Sequence, residues 1–195
     1  MKKLSIYLFL ILFSFQTSSW ADDIRDYEIE GVNIGDSLLD YYSESEIKKQ
    51  LSLTVSKYIS KRIKRIFFGA KDNSQYMQYN FHFINDSSYR IVALTGVMFY
   101  ENDIDGCYKK QLEVSKDIES DFSKVSKSSE TFKHSADKTG KSKVKQIRFI
   151  LKGGEIIIAC TSWSKTIKKD RPWRDTLSVN LESDEFISWL SHEAY

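Results

Sequence analysis

Ser37 is the first residue whose type and setting can do chemistry. It follows the strand-like run Tyr27-Glu28-Ile29-Glu30-Gly31-Val32-Asn33-Ile34 and sits in Gly35-Asp36-Ser37-Leu38, where a short helix opens. A serine hydroxyl acts as a nucleophile when a neighbouring base, itself oriented by a third group, takes its proton. The histidines on offer are His82, His134 and His192, and the residues three before them are Tyr79, Thr131 and Trp189, so none has an orienting carboxylate at that spacing. The other role for Asp36 or Ser37 is a cap on the free N–H groups of a first helical turn. No two histidines stand four residues apart and none adjoins a cysteine, so no metal cluster is implied.

Lysines supply a second candidate. Ala136-Asp137-Lys138-Thr139-Gly140-Lys141-Ser142 has the ending of a phosphate-binding loop, but Ser135 stands where the first glycine is required. The stretch also precedes a strand instead of linking strand to helix, so it reads as a solvated lysine loop. Farther on, Lys165, Lys168, Lys169, Arg171 and Arg174 surround Trp173 and form a candidate contact surface for an anionic partner. Trp163, Trp173 and Trp189 suit either a core or stacking against a carbohydrate ring.

Cys107 and Cys160 are the only cysteines. Neither has a C-x-x-C partner or an adjoining histidine, and an even pair in an exported domain is expected to form a disulfide. With 52 residues between them, closing the loop stabilises the fold by roughly 4 kcal/mol on the chain-entropy model.

Export is expected from the first 21 residues. Lys2 and Lys3 precede an apolar run from Leu4 to Phe15, and Ser19-Trp20-Ala21 gives a small-x-small cleavage pattern. The run is short of the roughly 20 residues a membrane span needs. The expected mature chain is one domain, 22–195, in the periplasm or outside the cell, with no transmembrane segment. Its basic and acidic residues balance at 27 each, distributed unevenly: residues 22–123 carry a net −5, 124–174 a net +10 and 175–195 a net −5. An exported protein rarely meets nucleic acid, so the basic segment points to acidic surface on the same chain, to an envelope protein, or to anionic lipid or glycan. No cofactor is implied.

The elements that must position these residues follow from periodicity. At 41% hydrophobic and 29% charged, the chain has an ordinary globular composition. Ser43 and Glu46 make a capping box for a helix near residue 44. Residues 62–69 and 75–84 read as strands, the second alternating Met77, Tyr79, Phe81 and Phe83 with polar neighbours, and 90–100 as a central strand. Cys107, Gln111, Val114, Ile118, Phe122 and Val125 recur at helical spacing. Residues 124–143 read as a long polar loop. Ile147 to Leu151 and Glu155 to Trp163 form a hairpin, residues around 168–172 a second basic loop, and Leu177, Val179 and Leu181 a last strand before a helix capped by Ser183. Tight turns make the strands antiparallel. The expected fold is α+β: an antiparallel sheet of about five to six strands, helices packed on one face, and a single disulfide.

Gly35-Asp36-Ser37-Leu38 resembles the nucleophile block of the GDSL (SGNH) hydrolases, which implies an exported esterase using Ser37. That family also has a Gly-x-Asn-Asp block, against which this chain sets Phe83-Ile84-Asn85-Asp86, and an Asp-x-x-His block that has no counterpart here. Ala21 to Gly31 followed by Ile34 to Tyr41, together with Asp105-Gly106-Cys107-Tyr108-Lys109-Lys110, Phe132 to Ser142 and Glu185-Phe186-Ile187-Ser188-Trp189-Leu190, is similar to a set of short exported bacterial proteins of unknown function. The opening Ile-Gly-Asp-Ser and short helix is loosely like BamE/SmpA envelope domains, which implies a small α+β binding module. The expectation is an exported binding or interaction module without a catalytic set. An esterase using Ser37 and a structural envelope protein docking through its basic loops are the alternatives.

Overall fold

The computed structural model describes residues 23–55, 58–122 and 125–195. The expected leader and its cleavage site at Ala21 lie outside them. Seven strands form one antiparallel sheet: β1 (Ile63–Gly69), β2 (Gln78–Ile84), β3 (Ile91–Phe99), β4 (Ser126–Lys133), β5 (Lys143–Leu151), β6 (Gly154–Ser162) and β7 (Thr176–Ser183), in the order β1-β2-β3-β7-β6-β5-β4. Four helices accompany them: α1 (Glu44–Leu53), α2 (Ile104–Asp121), α3 (Lys165–Asp170) and α4 (Asp184–His192). The chain is α+β.

The sheet has seven strands, not the expected five to six. The added one is β4, in the stretch whose composition reads as loop. All eight of its residues are exposed, so neither face shows apolar alternation, and backbone pairing with β5 alone makes it a strand. The expected strand at 27–34 is instead a tight turn, with Ile29 bridged to Val32 and Glu30 and Gly31 at positive φ of 50° and 79°. Two consecutive left-handed residues are what a two-residue hairpin turn requires, and the second is a glycine.

The helices occupy both faces, not one. On the first face Phe81, Leu94, Phe149, Ile156, Ile158, Leu177, Val179 and Leu181 pack with Cys107, Val114 and Ile118 of α2. On the second, Ile63, Val92 and Ala93 pack beneath Phe186 and Trp189 of α4. Successive strand residues point to opposite sides, so Ala93 and Leu94 face different layers, whereas Val92 and Ala93 share one because the β2–β3 register shifts there and leaves Val92 unpaired. Because Ser183 ends β7 and caps α4 without an intervening loop, the helix folds directly back over the polar side of its own strand. Trp189 is fully buried there.

Asp103 caps α2 four residues before Cys107, the first buried residue of the helix, its carboxylate accepting the Gly106 N–H at 2.9 Å. The Cys107–Cys160 disulfide clamps this helix to β6, with Cα atoms 6.1 Å apart. One turn on, the buried Gln111 donates both amide hydrogens, to Lys145 O and Ile158 O at 2.8 Å each. Helix and sheet are therefore joined by a covalent link and two hydrogen bonds from a buried side chain.

Candidate anion-binding cleft

The five basic residues of 165–174 lie where β6 passes to β7. Ser164 accepts the Ile167 N–H and starts α3, so the expected loop is a short helix up to Asp170. Lys165 and Lys169, four apart, are both exposed on it. Lys168 turns inward to the buried Asp175, 2.7 Å away. That carboxylate also accepts the Trp163 N–H at 2.7 Å, while its backbone carbonyl takes the Tyr100 N–H at 2.8 Å. Asp175 thus ties α3, the end of β6 and the end of β3 together.

The aromatic residues form a row on this anchor. His134 lies 4.3 Å from Trp163 and Trp163 lies 4.4 Å from Trp173, centroid to centroid. The Arg171 guanidinium sits 4.5 Å from the centroid of Trp173, within the range of a cation–π contact. Arg174 pairs with Glu101 at 2.9 Å and lies over Phe99. Lys168, Arg171, Trp173 and Arg174 line a cleft of about 280 Å³ together with Glu101 and Asn102. Lys165 and Lys169 do not line it.

Charge within the cleft largely cancels. Asp175 neutralises Lys168 and Glu101 neutralises Arg174, whereas Arg171 has no carboxylate partner among the described residues. Elsewhere in the basic segment Lys127 pairs with Glu119, Arg148 with Glu155 and Lys152 with Asp23. Burial pushes the His134 imidazole below its ordinary pKa, against the opposing pull of Asp137, which suits its acceptance of the Ala136 N–H through Nδ1.

The lysine loop at 136–142 is the turn between β4 and β5, built around a carboxylate. Asp137 is buried and accepts the N–H and hydroxyl of both Thr139 and Ser142. Those hydrogen bonds, Ser142 foremost, hold its carboxyl well below the usual range. The donors that a phosphate would need are already engaged by Asp137. Ser142 Oγ in turn accepts the Ser164 N–H at 2.9 Å, so the turn also braces the start of α3.

Ser37 caps the 3-10 turn Leu38–Asp40, accepting the Leu39 N–H, and donates its hydroxyl to Ser88 O at 2.7 Å. His82 meets Tyr58 and the Phe186 ring, and His192 sits by Ser188 O in its own helix. Among the described residues no group of three His, Cys, Asp or Glu can hold a metal, and no helix is long and apolar enough to cross a membrane.

Sequence reasoning found the basic residues and Trp173 but missed Glu101 and Asn102, which reach the cleft from the β3–α2 link, and His134, which touches Trp163 from the β4–β5 turn without lining the cleft. The only local signal was Asn102, held at φ 58°, where asparagine is favoured. No family model, no curated protein and no solved structure matches this chain.

Proposed function

We propose that the protein is an exported binding module that holds an anionic group of a ring-bearing ligand, an acidic polysaccharide foremost, in the Arg171–Trp173 cleft. The observation that carries this reading is Arg171 stacked on Trp173 with its donors unclaimed by any described carboxylate. A planar guanidinium offers paired donors that match a carboxylate or sulfate, and the adjoining indole offers an apolar face for a sugar ring. Lys165 and Lys169 add diffuse attraction from outside the cleft. The role is binding without turnover, since Ser37 is engaged as a cap.

The test is sedimentation of the mature protein with an acidic polysaccharide and, separately, with anionic vesicles, at low and physiological salt. Retention by the polysaccharide, weakened by salt, supports the reading. Retention by vesicles alone would favour a lipid surface, and retention by neither would refute it. Intact mass of the exported protein tests the export half: loss of residues 1–21 is expected, and a mass retaining them would contradict it.

A further inference from the structure

A second pocket is formed by residues of the 29–42 segment, Lys71 and two residues of β2. Tyr41, Tyr42, Tyr79 and Phe81 wall a small cavity of about 80 Å³, with Glu30 and Lys71 at its margin. The rings are fixed. Tyr42 stacks on Phe68 with centroids 3.7 Å apart and planes 5° from parallel, and meets the edge of Phe81 at 5.8 Å. Tyr41 donates its hydroxyl toward Asp36, 2.5 Å away, with Gly31 O at 2.9 Å. Tyr79 bonds the Glu30 carboxylate and approaches Ser74 Oγ at 2.8 Å. With the hydroxyls of Tyr41 and Tyr79 engaged, these two side chains offer a ligand chiefly their rings.

The surroundings are acidic. Glu28, Asp36 and Asp40 act electrostatically on Tyr41, Glu30 on Tyr79 and Glu46 on Tyr42. The cation present is Lys71, whose ammonium lies 5.6 Å from the Tyr42 centroid. Aromatic rings attract a cation over their faces, most strongly where it is shielded from water, and nearby carboxylates add to that attraction.

We propose that this pocket is a binding site for a small alkylammonium group, and that the Lys71 side chain is its built-in competitor. The site stands independently of the Arg171–Trp173 cleft. The cavity has room for a few waters or one methylated ammonium head, and displacing Lys71, which is exposed, leaves the walls in place.

NMR titration of the mature protein with choline tests this, read from the ring resonances of Tyr41, Tyr42, Tyr79 and Phe81. Saturable shifts are expected, with at least threefold tighter binding in Lys71→Ala, because the resident cation is gone. The uncharged carbon isostere dimethylbutanol is expected to bind at least threefold more weakly than choline. Equal binding of the isostere would reduce the pocket to an apolar hole. Weaker choline binding in Lys71→Ala, or saturable binding of acetate lost in that variant, would overturn the proposal in favour of a lysine-held anion. Because the decisive variant alters an exposed residue outside the core, its outcome does not depend on repacking.

Discussion

At the scale of single residues, the informative side chains are those whose environment opposes their charge. Glu182 of β7 lies opposite Glu155 of β6 in the sheet, and Arg148 pairs with Glu155 rather than with Glu182. Burial first, then the Glu155 carboxylate, pushes Glu182 from its ordinary 4.5 up to about 7, with Arg148 pulling the other way. The folded chain therefore holds this proton more tightly than the unfolded chain. Stability from this site is full below about pH 4.5, falls as the pH rises through about 7 and then levels off, over a span of at most roughly 3 kcal/mol. Denaturant titrations of Glu182→Gln across that range are expected to show the decline flattened and the protein more stable at pH 8. Ser37 makes the contrasting case of a residue whose chemistry is spent locally. A fluorophosphonate probe is expected to leave it unlabelled, and Ser37→Ala to cost about 1 kcal/mol through the lost cap; stoichiometric labelling at Ser37 would restore the esterase reading.

At the scale of elements, α2 was the most legible part of the chain, because Cys107, Gln111, Val114 and Ile118 repeat at helical spacing and all face the sheet. Its clamp was legible as well, since two cysteines allow one pairing, and Cys107 does meet Cys160. Replacing both with serine is expected to lower the melting temperature, with a stability loss approaching the chain-entropy figure of roughly 4 kcal/mol; an unchanged transition would contradict a structural clamp. β4 was not legible. A strand exposed on both faces has no pattern of burial to betray it, and only its long-range partner, β5, defines it. The side of the sheet taken by α4 was hidden for a related reason: periodicity shows that Phe186 and Trp189 point inward, but not which layer lies there.

For the whole molecule, the uneven charge along the chain resolves partly into internal pairing. The acidic C-terminal segment supplies Asp175 to Lys168, Glu185 to Arg62 and Arg90, and Glu193 to Arg62, and the N-terminal part supplies Glu101 to Arg174. Apart from Lys168 with the buried Asp175, these pairs are exposed and contribute little individually, but together they separate committed cations from uncommitted ones. That separation was invisible in sequence, where Lys165, Lys168, Lys169, Arg171 and Arg174 look equivalent. Folding places Lys168, Arg171 and Arg174 on one cleft and leaves Lys165 and Lys169 on an outer helix face.

The most direct measurement compares two variants for binding to an acidic polysaccharide at low salt, followed by tryptophan fluorescence. Arg171→Ala is expected to weaken binding by about tenfold, as befits a charged hydrogen-bonding pair. The double variant Lys165→Ala with Lys169→Ala, which removes more charge from outside the cleft, is expected to weaken it less and mainly to reduce the salt dependence. An Arg171→Ala protein that binds as tightly as the parent, while the double lysine variant loses binding, would contradict the cleft as the site of recognition.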